Sequence, residues 1–222
     1  MPDLLSPVVV TGANGRLGRL VVGRLVAAGV LVAALDRETP DLAGALGVAA
    51  DAADEGAVVA AFNRVEHALG TPRALVHTVG MWDGGPLGET TLESWETMLR
   101  VNLTSAFVCF REAVRRMQAA GVGGSLVAIA SGQGADRGVA QQAGYSASKA
   151  GVVRLVEATA AEGRAAGIAA VAVAPSTILY GDEAAETPGV RADDVAALCV
   201  RLCGPDASVH SGATLRAYGS AG

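Results

Sequence analysis

The stretch Val8-Val9-Val10-Thr11-Gly12-Ala13-Asn14-Gly15-Arg16-Leu17-Gly18 decides how this chain folds. Three β-branched residues make a short strand, and three glycines then fall within seven positions. After them Leu20 to Ala28 reads as a helix, with Leu20, Val21, Leu25 and Val26 on its buried side and Gly29 as its stop. Strand, glycine-rich turn and helix, in that order, form the setting in which a glycine pattern predicts a dinucleotide site. Glycines let the turn backbone touch a pyrophosphate, and the helix N-terminus offers free N–H groups at the positive end of its dipole. Gly12, Asn14, Gly15, Arg16, Leu17 and Gly18 are therefore the candidate phosphate-side residues.

Downstream, Leu31 to Leu35 is a second apolar run, and it ends in Asp36-Arg37. A carboxylate about 20 residues beyond the glycine turn can accept hydrogen bonds from the adenine-ribose hydroxyls and would repel a 2′-phosphate. Asp36 thus favours NAD over NADP. Arg37 and Arg16 pull the other way, since either could meet a phosphate, and NADP stays open. Further strands are expected at Val48 to Asp51, Ala74 to Gly80, Ser125 to Ala130, Ala169 to Ala174 and Ala213 to Ala217. Helices are expected at Glu55 to Leu69, Ser94 to Met117 with a break near Asn102, and Arg191 to Leu202. Strands alternating with helices predict βαβ units and a parallel sheet, with ligands at the carboxyl ends of the strands. The glycine turn, Asp36, Gly80, Ser131 and Pro175 all fall at that edge.

One more helix carries chemistry. Tyr145 and Lys149 lie four residues apart in Gly144-Tyr145-Ser146-Ala147-Ser148-Lys149-Ala150, ahead of the Ala/Val-rich run Gly151 to Ala166. On a helix such a pair shares one face. A nearby ammonium lowers a phenol from about 10 by roughly 1–3 units, towards the range useful for acid–base work. Taken alone, the pair also fits an ordinary helix surface.

Composition sets the outer bounds. The 222 residues are 51% hydrophobic with 29 glycines, which suits one α/β domain over 1–222 that buries about 70% of its unfolded surface. A net charge of −5 without a basic cluster argues against a nucleic-acid partner. No run approaches the length of a membrane span, and Met1 to Pro7 is too short and polar for a signal peptide. Cys109, Cys199 and Cys203 make no disulfide framework, so a cytoplasmic location is expected. Cys199 and Cys203 are four apart but lack further metal ligands at suitable spacing, and buried thiols are the simpler reading. Trp82 is either a hydrophobic lid residue or a stacking platform for a flat substrate. Gln133 and Gln141 are weaker substrate-contact candidates, and Asp182 to Glu186 reads as a solvated loop.

With these residues in place, the chain resembles the short-chain dehydrogenase/reductase family over nearly its whole length. The resemblance rests on the Thr11–Gly18 turn, Asp51, His77-Thr78-Val79-Gly80, Asn102, Ser131, Tyr145-Ser146-Ala147-Ser148-Lys149 and Pro175-Ser176-Thr177-Ile178. Locally, Val79 to Gly85 and Pro175 to Ile178 are similar to quinonoid dihydropteridine reductase and small bacterial reductases related to it. The resemblance implies a Rossmann-type doubly wound αβα sandwich and an NAD(P)-dependent oxidoreductase that interconverts a ketone and a secondary alcohol. It implies that Tyr145 is the general acid and base, and that Lys149 lowers its pKa and holds the nicotinamide ribose. Ser131 would bond the substrate oxygen, Asn102 would hold a water linking Lys149 to solvent, and Asp51 would bind the adenine edge. Pro175 to Ile178 would line the nicotinamide, with Thr177 or Ile178 near its carboxamide. It also implies a homodimer or homotetramer built on the helices around Asn102–Met117 and Tyr145–Ala166.

The chain departs from the family pattern in places. Arg16 stands where the commonest turn has its middle glycine, and His77-Thr78-Val79-Gly80 stands where Asn-Asn-Ala-Gly is usual. Because Ser131, Tyr145 and Lys149 cover the proton chemistry, His77 reads as a packing or ribose-side residue. The stretch from Tyr180 to Gly189 is short for a substrate lid. Two other readings share these residues: a reductase of a quinonoid or activated-alkene substrate, and a non-catalytic NAD(P)-binding regulator.

Overall fold

The structure is a computed structural model that describes residues 4–181 and 187–221. Seven parallel strands form its central sheet: β1 (Val8–Thr11), β2 (Val32–Asp36), β3 (Ala45–Ala49), β4 (Ala74–His77), β5 (Gly124–Ile129), β6 (Ile168–Pro175) and β9 (Thr214–Ala217). Their order across the sheet is β3-β2-β1-β4-β5-β6-β9. The two-residue strands β7 (Ile178–Leu179) and β8 (Val190–Arg191) pair separately, in parallel. Register follows the apolar runs, so Val9 of β1 sits between Ala33 and Leu75.

Both faces of the sheet are covered, which is why its strands read as unbroken apolar runs. Val9, Leu75, Leu126 and Ala170 face one way, against α2 (Glu55–Leu69), α4 (Ser105–Ala119) and α6 (Ala143–Gly163). Val10, Val76, Val127 and Val171 face the other, against α1 (Arg16–Ala27) and α7 (Ala192–Arg201). Phe62, Phe110, Leu25 and Leu75 are fully buried between these layers. Each such side chain adds about 1.5–3 kcal/mol of hydrophobic stabilisation. A charged network pins α2 to α4: Arg116 pairs with Glu66 and donates from Nε to Glu112 at 2.8 Å.

Strand β4 ends at His77 instead of Gly80, and three further boundaries differ from the sequence reading for local reasons. Helix α1 starts at Arg16, not Leu20, because Gly15 already sits in the extended N-cap conformation. Strand β3 ends at Ala49, where the Ala50 N–H bonds the Asp36 carbonyl at 2.7 Å. Asp51 therefore lies in the turn before α2. The expected Ser94–Met117 helix is α3 (Leu92–Leu99), a π-helical turn (Arg100–Thr104) and α4, so the break does fall at Asn102. Single π turns of this kind recur at functional sites. Two one-turn helices, α5 (Gly132–Ala135) and α8 (Asp206–Val209), have no clear sequence signal. The acidic stretch Asp182 to Glu186 lies outside the described residues. Among the described residues, no helix is long and apolar enough to cross a membrane.

Candidate active site

The strand order reverses direction between β1 and β4, and open α/β sheets take ligands in the crevice beyond that point. Two clefts open there. The larger, about 1210 Å³, is lined among others by Arg16, Ser131, Tyr145, Lys149, Thr177 and Ile178. The smaller, about 640 Å³, is lined among others by Gly12, Asn14, Asp36, Arg37, Asp51 and Arg100. Gly15, Thr78, Gly80 and Met81 line both, so the clefts meet at the glycine turn. That two-part shape, one half acidic at Asp36 and the other carrying the phenol and ammonium, fits an extended dinucleotide.

The glycines of the turn do different jobs. Gly12 has φ +73°, and a Cβ there would lie 2.8 Å from Thr78 Oγ1. A Cβ on Gly18 would lie 2.2 Å from the Gly12 carbonyl oxygen. These two let the turn close on itself and on β4. A Cβ on Gly15 would meet only that same oxygen, at 3.1 Å, so its open side faces the crevice. Asp36 braces the turn by accepting from the Asn14 N–H at 2.9 Å and the Arg37 N–H at 2.8 Å. A carboxylate has about four lone-pair sites, which leaves acceptors for two ribose hydroxyls. Asn14 also donates from Nδ2 to the Glu38 carbonyl at 3.0 Å. The Arg16 guanidinium lies 3.8 Å over the Tyr180 ring, so the side chain in the middle glycine's place reaches across the cleft. Asp51 accepts from the Ala53 N–H at 2.9 Å and from Arg100 Nη2 at 2.6 Å. Burial pushes its carboxyl up, but those two partners outweigh it and hold it below its ordinary value.

At the other end of the crevice, Ser131 follows β5 and caps α5, accepting from the Gln133 N–H at 3.3 Å. Its hydroxyl stands near enough to the Tyr145 phenol to lower the phenol's proton affinity. Lys149 is only 3% exposed, and its ammonium donates to the Ile129 carbonyl at 2.9 Å. Its Nζ is 6.0 Å from the centre of the Tyr145 ring. Burial lowers Lys149 to about 8. Tyr145 corrects the expectation drawn from i,i+4 spacing: burial pushes its phenol up, opposed by the Ser131 hydroxyl. Burial therefore keeps the proton on the phenol at neutral pH. Asn102 is fully buried. It accepts from the Met81 N–H at 2.7 Å and donates to the Met81 carbonyl at 3.0 Å and Ser148 Oγ at 2.9 Å. Its N–H groups are thus spent on holding the β4 end against α6. The structure therefore brings Ser131, Tyr145 and Lys149 into one cleft with Pro175, Thr177 and Ile178, and sets Asn102 behind its lining.

A family model for short chain dehydrogenases matches residues 6–187. This chain belongs to the short-chain dehydrogenase family. It is 36% identical over 177 residues to the 3-oxoacyl-[acyl-carrier-protein] reductase MabA of Mycobacterium bovis, across 80% of this chain and 71% of that one. It is 30% identical to D-threitol dehydrogenase of Mycolicibacterium smegmatis, across 93% and 89% of the two chains. The crystal structure of sorbitol-6-phosphate 2-dehydrogenase SrlD from Erwinia amylovora shares the fold, with a TM-score of 0.90 at 24% identity over 97% and 99% of the chains. The chain is accordingly an oxidoreductase of the short-chain type, a family that uses NAD or NADP.

One candidate of this short-chain dehydrogenase, Gln141, sits elsewhere than the sequence suggested. Gln142, not Gln141, lines the larger cleft beside Gln133. Gln141 instead has φ +64° and lines a separate cavity of about 260 Å³. Trp82 is 61% exposed at the cleft mouth. His77 is buried and bridges Thr11 Oγ1 at 2.8 Å and Ser105 Oγ at 3.1 Å. Burial, reinforced by Lys149, lowers it to about 3, so it is a neutral strut between β1, β4 and α4. Cys203 Sγ donates to the Cys199 carbonyl at 3.4 Å, and burial pushes both thiols up. Gly134, Asp136, Arg137 and Tyr218 are new. A Cβ on Gly134 would lie 2.5 Å from Lys149 Cβ and 2.7 Å from the Ala150 nitrogen, so only glycine lets α5 press the Ser131 loop onto α6. No short-range pattern marks a glycine needed for contact with a helix that starts nine residues later.

Proposed function

We propose that this dehydrogenase reduces a ketone to a secondary alcohol and runs the reverse reaction, with Tyr145 giving and taking the proton. The observation that carries this reading is that Ser131, Tyr145 and buried Lys149 line one cleft together. The dinucleotide, when bound, supplies the hydride. Gly12 to Gly18 would hold its pyrophosphate, and Asp36, Arg37 and Asp51 its adenosine half. Gly80, Lys149, Pro175, Thr177 and Ile178 would flank its nicotinamide half. Ser131 and Tyr145 offer two O–H donors to one carbonyl oxygen, which meets the charge that develops there as hydride arrives. Tyr145 then transfers its proton to that oxygen. The phenolate left behind is balanced by the Lys149 ammonium. Asn102 keeps the β4 end and α6 at the spacing this needs.

The chain works as one domain over residues 1–222, prefers NAD, and acts in the cytoplasm as a homodimer or homotetramer. Phe107, 43% exposed on α4, supports the oligomer, and three cysteines without disulfides support the compartment. A screen of ketones, diketones, quinones and alcohols against NADH, NADPH and their oxidised forms tests the function through cofactor absorbance. Turnover of quinones with none of ketones would overturn it.

Two further outcomes are expected. Wild type should favour NAD, and Asp36→Ala should shift the NAD-to-NADP ratio of kcat/KM by about tenfold or more towards NADP, since specificity here is partly repulsion. A wild-type preference for NADP would sink the carboxylate argument. In the pH profile, kcat/KM for ketone reduction should be level near neutrality and fall above about 8. There Lys149 loses its charge in the free enzyme, while the raised phenol of Tyr145 keeps its proton. A profile that rises through pH 8 would contradict that assignment.

A further inference from the structure

Helix α5 is one turn long, too short to hold itself. Yet it is capped by Ser131, which under the proposed function would meet the substrate oxygen. Gly134 anchors its inner side on α6. Its outer side ends in Asp136, whose carboxylate is held by two groups from the end of β9. Arg216 Nε donates to Asp136 Oδ1 at 2.7 Å, and the Tyr218 hydroxyl donates to Oδ2. The Tyr218 ring also closes over Gly132, next to Ser131, where a Cβ would lie 3.0 Å from it. On its other side, the Tyr218 carbonyl accepts from Ser176 Oγ at 2.8 Å. Ser176 lies between Pro175 and Thr177, beyond the end of β6, and lines the same cleft as Ser131.

We infer that Tyr218 and Asp136 are positioning residues that set the distance between Ser131 and the Pro175–Ile178 wall. The link runs unbroken from Ser131 through α5 to Asp136, then to Tyr218 and Ser176. It rests on the proposed function for its kinetic consequence and on geometry alone for its structural one. The Arg216 side chain is more than half exposed and that of Asp136 about a third, and ion pairs this near the surface contribute little to global stability. A loop held this way can lose alignment while the protein keeps its melting temperature. Misplacing a reacting group by about 1 Å costs on the order of 10²-fold in rate.

The test uses Tyr218→Phe, Asp136→Asn and the double variant in the full chain. Amide hydrogen exchange across residues 131–137 should speed up in both single variants, with the rest of the sheet unchanged. The single variants should lose about tenfold or more in kcat, with cofactor Kd and Tm near wild type. The double variant should be no slower than the worse single, because the two residues act as one unit. Unchanged exchange in 131–137 would overturn the inference, as would kcat losses that track Tm or multiply in the double variant. The exchange measurement needs neither cofactor nor substrate, so its failure is distinct from failure of wild type to reduce any ketone, which strikes the proposed function.

Discussion

Tyr145→Phe is expected to keep the fold and cofactor affinity and to lose about 10²–10⁴-fold in kcat, the usual worth of a positioned general acid. The ring is half-buried in the first turn of α6, and Phe retains its packing beside Lys149. What disappears is the hydroxyl. Ser131 still caps α5 through the Gln133 N–H. Losing one hydrogen bond costs about 1 kcal/mol, too little to unfold a domain of this size. Reduction then has no proton to deliver to the alkoxide oxygen, because Ser131 alone leaves its own oxygen charged when it donates. Lys149 cannot stand in, since its ammonium is turned to the Ile129 carbonyl. The comparison to make is single-turnover hydride transfer in wild type, Tyr145→Phe and Ser131→Ala, with cofactor Kd by titration. Turnover of Tyr145→Phe within about tenfold of wild type would remove Tyr145 from the role of proton donor.

Gly134→Ala should damage the site with a single methyl. The added carbon would lie 2.5 Å from Lys149 Cβ and 2.7 Å from the Ala150 nitrogen, neither of which is the loose end of a side chain. Normal contact between carbons is about 3.5–4.0 Å, so α5 must retreat by roughly 1 Å. Overpacking of this kind costs about 1–3 kcal/mol, which lowers Tm by several degrees in a chain of this length. The loss in kcat should be larger in proportion, on the order of 10²-fold, because α5 carries Ser131 away from Tyr145. Cofactor affinity should hold, since the glycine turn and Asp36 lie in the other half of the crevice. Kinetics, melting and cofactor titration of the one variant check all three statements, and an unchanged kcat would refute the claim that α5 is pressed into place.

Most of the crevice is legible in the sequence. The Val8–Gly18 stretch, Asp36, Gly80 and Pro175 could be placed at one edge because parallel βαβ units put every strand's carboxyl end there. The break at Asn102 was legible too, since a polar residue in a long apolar helix asks for a partner, and it finds Met81 and Ser148. The spacing of Tyr145 and Lys149 brought them to one face of α6, yet it misjudged the phenol. Four residues of spacing say nothing about burial, and burial sets the proton affinity here. The same blindness assigned Gln141 instead of Gln142, where a single residue in the left-handed region rotates one side chain out of the cleft and the next into it.

Sequence by itself determined the order of strands, turn and helices, and the need for Gly12 and Gly18, because those depend on contacts among near neighbours and on the strand beside them. Only the tertiary structure decided that Tyr218 closes over Gly132, that Gly134 must be bare, and that Asp136 is held from β9. Tyr218 and Asp136 are 82 positions apart and Arg216 and Asp136 are 80 apart. No periodicity runs across such distances. They meet because β9 pairs with β6 at the sheet edge and brings its carboxyl end to the wall where Ser131 waits.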